Sequence, residues 1–198
     1  MKGGFSFDLI PSPLGEVGLV RHREGGRTLI RRIFLPREGV SSSERILETF
    51  PGAVPSSGKR DKTGMQIEAF LAGDAVDFSI AELDFEGVGG FERRVLLADF
   101  DIPRGRVMSY GGLAAKVGVP GGARAVGNVM AGNPFPLVIP CHRVLRSDGS
   151  LGGFGGGLPM KKVLLAMEGV AFDSNDRVLP QHIISCPVSW RGTRRICP

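Results

Sequence analysis

Apolar and polar residues alternate with period two over Phe5-Ser6-Phe7-Asp8-Leu9, the pattern of a strand with one face in a core. After a turn at Ser12-Pro13-Leu14-Gly15, residues 17–21 predict a second strand. Beyond Glu24-Gly25-Gly26, the β-branched-rich stretch 28–35 predicts a third. Residues 41–50 and 65–71 predict short helices, and the Pro/Ser/Gly/Lys-rich stretch 51–62 a surface loop. At Gly87-Val88-Gly89-Gly90 the pattern changes. Phe91, Val95, Leu96 and Phe100 recur at helical spacing, and Pro103 and Gly105 end that helix.

Ser109 is a candidate cap for a second helix over 110–117, and Gly118-Val119-Pro120-Gly121-Gly122 is a turn into a third over 123–131. Two short helices joined by a glycine-bearing turn resemble a helix-turn-helix. On the third helix Val126, Val129 and Met130 share an apolar face. Ala123, Gly127 and Ala131, spaced by four, make a stripe of the smallest residues, and Arg124 and Asn128 a polar stripe beside it. Such a flat face serves equally a close approach to a groove or tight packing on another helix. A helix over 160–168 follows the glycines from Gly149 to Gly157, with Lys161 and Lys162 in its first turns. The expected architecture is α/β. A small N-terminal antiparallel-sheet α/β domain (1–88) precedes a mainly helical domain (89–170), and an extension (171–198) follows.

Composition narrows the class. With 42% hydrophobic and 23% charged residues among 198, the chain is a folded globular protein. No apolar run reaches membrane-spanning length, and the first residues carry Asp8 and prolines where a signal peptide has an apolar core, so the expected location is cytoplasmic. Cys141, Cys186 and Cys197 have neither disulfide-framework nor zinc-ligand spacing, and no metal or cofactor is expected. The net charge of +5 is uneven. Residues 1–90 hold 11 Lys/Arg against 13 Asp/Glu, a net of −2; residues 91–170 hold 10 against 5, a net of +5; residues 171–198 hold 4 against 2, a net of +2. A positive domain suits a polyanion, above all nucleic acid, although a solvated surface has the same composition.

The candidate chemistry sits at Ile139-Pro140-Cys141-His142-Arg143-Val144. A thiol beside an imidazole is a nucleophile with a base at hand, yet most Cys-His dipeptides are a buried thiol next to a surface imidazole. Neighbouring residues diverge in both strand and helix, so His142 needs a bend or a bridging water to act on Cys141. An imidazole acting as base also needs a partner to orient it, and Glu168 is the only acidic residue between Asp148 and Asp173. The glycine run can bring backbone N–H groups near a ligand, or be a flexible loop.

Five segments in register carry a resemblance. They are Ser109-Tyr110 heading a helix, Ala123-Arg124-Ala125-Val126-Gly127, Gly132-Asn133-Pro134, Ile139-Pro140-Cys141-His142-Arg143-Val144 and Glu168-Gly169. Together they resemble the O6-alkylguanine-DNA alkyltransferases (methylated-DNA–protein-cysteine methyltransferases), closely over 91–170 and more weakly through the N-terminal meander. The resemblance implies a winged-helix-like helix-turn-helix and single-turnover repair of O6-alkylguanine, with O4-alkylthymine a candidate second lesion. Cys141 would accept the alkyl group, His142 act as base through a water with Glu168 polarising it, and Tyr110 donate at guanine N3. Arg124 would fill the space of the extruded base, with Ala123, Gly127, Asn128 and Tyr110 along the DNA. Asn133, which braces the turn beneath Cys141, would line the base pocket with Val144, Phe154, Gly155 and Met130, and the carbonyls of Cys141 and Val144 would receive the guanine amino group. The implied partner is double-stranded DNA carrying the lesion, bound by a monomer, without a cofactor or a membrane.

The chain departs from the pattern in places. Phe154 stands where many relatives carry tyrosine, and the metal-binding residues of some N-terminal domains have no counterpart. Residues 171–198, with Cys186, Trp190, Arg191, Arg194 and Arg195, are a packed terminus or a basic arm, the former favoured. Two other classes stand beside this reading. One is a non-catalytic protein that recognises alkylated DNA, which would lack the reactive cysteine. The other is a cysteine hydrolase, which would need an oxyanion hole.

Overall fold

The computed structural model describes residues 4–58 and 60–185. The chain divides into two compact units, one of the residues up to Gly87 together with Pro134–Val138, the other of Val88–Asn133 and the residues from Ile139 onward.

In the first unit, β1 (Ser6–Ile10), β2 (Val17–Glu24) and β3 (Arg27–Phe34) form the meander, and both pairings are antiparallel. The stretch expected to be only a surface loop contains β4 (Val54–Pro55), which pairs in parallel with β1 and gives the order β3-β2-β1-β4. Two residues with a proline among them show no strand periodicity, so only pairing to the β1 edge defines this strand. Helix α1 (Ser42–Thr49) starts at Ser41, whose side chain accepts from the Ser43 backbone while the Glu44 carboxylate accepts from the Ser41 N–H. Helix α2 (Lys62–Leu71) begins a turn earlier than its apolar residues suggest, because Asp61 caps it through the Gly64 N–H. Phe7, Val20, Phe34, Ile46 and Ala53 make the core between sheet and α1. The Pro134–Val138 segment joins this unit through the Pro134 carbonyl, which accepts from Ile33 N, and through Phe135, packed edge-on against Phe85.

The second unit is built on α3 (Gly90–Phe100), α4 (Tyr110–Lys116), α5 (Ala123–Ala131) and α6 (Gly157–Met167). Its two-stranded parallel sheet pairs β5 (Met108–Ser109) with β6 (Val144–Leu145). Helix α3 turns Val95, Leu96, Ala98 and Asp99 inward, while Phe91 and Phe100, which the apolar spacing assigned to the same face, are only half-buried. Ser109 Oγ accepts from Gly112 N and caps α4. Gly118 and Gly121 take φ of 82° and 83° in the turn to α5, a region that residues with a side chain rarely enter. The core continues past Val170. Val178 packs with Val107, Leu145, Leu151 and Leu165, and Phe172 and Ile183 lie against them. Residues up to Ser185 are therefore part of this unit, while Cys186, Trp190, Arg191, Arg194 and Arg195 lie outside the described residues.

Candidate active site and nucleic-acid face

Cys141 sits neither in a strand nor in an α-helix but in a 3-10 turn, Cys141–Arg143, leading into β6. Pro140 at φ −82° and ψ 59° makes an inverse γ-turn closed by Cys141 N donating to Ile139 O at 2.9 Å. Asn133 Nδ2 donates to the same carbonyl at 2.9 Å, and its side chain also hydrogen-bonds the thiol. The turn is thereby braced from two directions.

His142 is 0% exposed, and its Nε2 lies 2.9 Å from Glu168 Oε1. Glu168 is the C-terminal cap of α6. Arg143 grips the same carboxylate with two nitrogens, Nε to Oε2 at 2.9 Å and Nη2 to Oε1 at 2.8 Å. Burial alone would raise the Glu168 carboxyl, but its bonds to His142 and Arg143 outweigh that and hold it at about 2. Burial lowers the His142 imidazole against the pull of Glu168, so the ring is neutral. An ionised carboxylate only accepts, so Nε2 carries the proton and Nδ1 is the basic nitrogen.

Burial pushes the Cys141 thiol up to about 12, with Asp99 adding to the rise and the Asn133 bond and Lys161 opposing it. At neutral pH the thiolate is then about one part in 10⁵, so a nucleophile here must lose its proton as it attacks. Tyr110, the first residue of α4, is raised by burial and then by the charge of Cys141. A side chain at Gly152, where φ is 66°, would come within 3.1 Å of the Tyr110 ring, so only glycine lets the loop pass this close. Phe154 stands edge-on to His142 with ring centroids 6.4 Å apart.

Helix α5 presents the other candidate surface. Arg124 and Asn128 are exposed, and a Cβ added at Gly127 would meet nothing within 4 Å. At Gly127 the small-residue stripe is thus open. Val126 and Met130 face the core and Val129 is only half-buried.

Similarity to known proteins agrees with this geometry. Residues 90–170 match the family model of the 6-O-methylguanine DNA methyltransferase DNA-binding domain. A methylated-DNA–protein-cysteine methyltransferase of Mycobacterium bovis is 36% identical over 159 residues, which are 80% of this chain and 89% of that protein. The chain belongs to the methylated-DNA–protein-cysteine methyltransferase family. The relative from Methanothermobacter thermautotrophicus is 50% identical over 107 residues, 54% of this chain but only 60% of its own length. The crystal structure of Mycobacterium tuberculosis OGT in complex with DNA superposes with a TM-score of 0.67 at 32% identity, covering 82% of this chain and 92% of that one.

For this family member the fold brings Cys141, His142, Glu168, Asn133, Tyr110 and Phe154 together. It sets Arg124, Gly127 and Asn128 on the open side of α5, with Ala123 half-buried and Gly155 in an exposed turn. The Cys141 carbonyl accepts from Val144 N, and the Val144 carbonyl accepts from Lys161 Nζ at 2.6 Å.

Three residues with a part in the site escaped sequence reasoning. Arg143 was visible only as a motif letter. Lys161 read as a helix-start lysine, yet it is 0% exposed and donates to the carbonyls of Val144 and Leu151. Burial lowers it to about 8, with Cys141 and Asp99 opposing. Its spacing of three and four from Leu164 and Leu165 was the available signal, since it puts Lys161 on the apolar face of α6. Asp99, four residues after Val95, had the same signal on α3. Among the described residues no group of three or more His, Cys, Asp or Glu is placed to hold a metal ion, and no helix is long and apolar enough to cross a membrane.

Proposed function

We propose that this chain repairs O6-alkylguanine in double-stranded DNA by moving the alkyl group, once and irreversibly, to Cys141. The observation that carries the reading is the run of buried Cys141, His142 and Glu168 with part-buried Arg143, a thiol beside a neutral imidazole whose far nitrogen is tied to an ionised carboxylate. A base inside a stack cannot meet a thiol 7% exposed, so the alkylated guanine must be extruded into the site. Arg124 on the open face of α5 fills the space left in the duplex, and phosphate contacts supply affinity without sequence preference.

In the transfer step a bond forms between Cys141 Sγ and the alkyl carbon while the bond from that carbon to guanine O6 breaks. The thiol proton passes through a water to His142 Nδ1, and the resulting imidazolium is stabilised by Glu168. Arg143 keeps Glu168 ionised, which holds the imidazole in the required tautomer. The departing guanine gains electron density, Tyr110 donates toward its N3, and the proton lost by the thiol ends on the guanine ring. The product is a thioether, which has no ready way back. The protein works as a monomer wherever the cell keeps its DNA. O4-alkylthymine presents the same alkyl-oxygen bond and is the natural second substrate to try.

Duplex DNA carrying a labelled O6-methylguanine tests the reading. One equivalent of label should move to the Cys141 peptide. Binding without transfer would make the chain a damage-recognition protein instead, and turnover beyond one equivalent would make Cys141 a hydrolytic nucleophile.

A further inference from the structure

Helix α3 carries a carboxylate that this reaction leaves unused. Asp99 is 0% exposed, and neither of its oxygens accepts a hydrogen bond among the described residues. Its inward direction is built into the helix, because Val95 and Leu96, one turn earlier, define the buried face. Removing a carboxylate from water without a donor strongly disfavours its charged form.

Cations surround it instead. Arg143 Nη1 donates to the carbonyl of Ile102, the residue one turn beyond Asp99. Lys116 Nζ donates to the carbonyl of Ala98, its immediate neighbour, at 2.9 Å. Lys161 is buried in the same interior beside the Cys141 turn. The groups facing Asp99 are thus Arg143 and Cys141 from the 3-10 turn, Lys161 from α6, and Lys116 and Tyr110 from α4. Helix α5 also packs on α3 but turns Arg124 to solvent. Burial pushes Asp99 up to about 7, with Arg143, Lys161 and Lys116 pulling it back down. In the other direction, its charge favours the protonated forms of Cys141 and Tyr110.

We propose that Asp99 is a positioning residue for charge at the transfer site: ionised, it offsets the buried ammonium of Lys161 and holds Cys141 as a thiol; protonated, it releases that thiol toward deprotonation. The inference rests on the alkyl-transfer reading for its purpose but not for its physics. It makes the site's nucleophile sensitive to pH near neutrality through a group that never touches substrate. As pH rises through the titration of Asp99, the gain in thiolate from higher pH is partly offset by the new negative charge nearby.

The test is the pH profile of Cys141 in the full chain, wild type against Asp99→Asn and Asp99→Leu. Reaction with iodoacetamide is followed on the Cys141 peptide by mass spectrometry. Asp99→Asn should react about tenfold faster than wild type above about pH 8 and at the same rate below about pH 6, with the wild-type profile flattening in between. Asp99→Leu should behave like Asp99→Asn and serves if the latter fails to fold. Infrared titration of the wild type needs no variant and should show one protonated carboxyl lost near neutrality. Parallel profiles at every pH, or no carboxyl titrating near neutrality, would overturn the proposal. Transfer from duplex DNA carrying O6-methylguanine, measured on the same wild-type samples, separates the two ideas. Its absence would sink alkyl transfer and leave the effect of Asp99 on the thiol standing.

Discussion

Both units bury a cluster of charged residues, and the two clusters are balanced differently. In the first unit the buried Arg21 and His22 side chains each meet a carboxylate. Arg21 pairs with Asp8 and with Asp61, and His22 Nε2 lies 2.9 Å from Asp84, which also takes Arg31. In the second unit Glu168 is shared between His142 and Arg143, the Lys161 ammonium meets only carbonyls, and the Asp99 carboxylate meets no donor among the described residues. Paired charge locks a fold in register. Unbalanced charge leaves protonation states free to respond, and the candidate thiol and imidazole lie in that unit.

The comparison breaks most sharply at Cys141. Cys141→Ser and Cys141→Ala should abolish alkyl transfer while DNA binding, measured by fluorescence anisotropy, stays at the wild-type level; residual label on another cysteine would reassign the nucleophile. Glu168→Gln should slow single-turnover transfer by about a hundred- to ten-thousand-fold, because the imidazole loses the partner that fixes its tautomer. It should also weaken the fold, since Arg143 loses its bidentate acceptor. Glu168 is held at about 2, below its ordinary range, so its contribution is present above about pH 4.5 and fades as pH falls through 2. The stability gap between wild type and Glu168→Gln, about 3 kcal/mol at neutral pH, should close on acidification, as chemical denaturation along a pH series would record.

Asp99 has the opposite sign. Its folded-state value of about 7 lies above the ordinary 3.8, so the folded chain holds an extra proton between these limits and loses stability as pH rises across them. Asp99→Leu should therefore gain stability over wild type on the order of 4 kcal/mol above pH 7, and little near pH 4. In the first unit, Asp84→Asn strands His22 and Arg31 and should cost about 3 kcal/mol. The transfer rate of its folded fraction should not change. A tenfold fall in that rate would show that the two clusters do not have separate tasks. The smallest effect belongs to the open face of α5. If Arg124 fills the extrusion gap, Arg124→Ala should slow repair of duplex DNA far more than reaction with free O6-alkylated guanine. If it only contacts a phosphate, the salt slope of binding should fall by about one with no selective effect on extrusion.

Much of this was legible in the sequence because it rests on short-range patterns. The period-two run of Phe5 to Leu9, the Ser109 cap and the helix over 123–131 follow from local sterics and hydrogen bonding, and the structure reproduces them to within a residue or two. Glu168 was reachable as the only acidic residue between Asp148 and Asp173. Strand β4, the inverse γ-turn at Pro140 and the openness of Gly127 were not, since each is defined by what lies across from it in space.

Sequence alone therefore determined the element types, the family motifs and which thiol is the candidate nucleophile, because side-chain chemistry and helical or strand periodicity are properties of neighbours along the chain. Only the tertiary structure decided which charges are buried and against what. Lys116 and Lys161 are both lysines on short helices, yet one bonds the exposed Asp101 and the other is enclosed against the backbone of the Cys141 loop. Protonation depends on the distance to water and to other charges, and folding sets both from residues far apart in sequence.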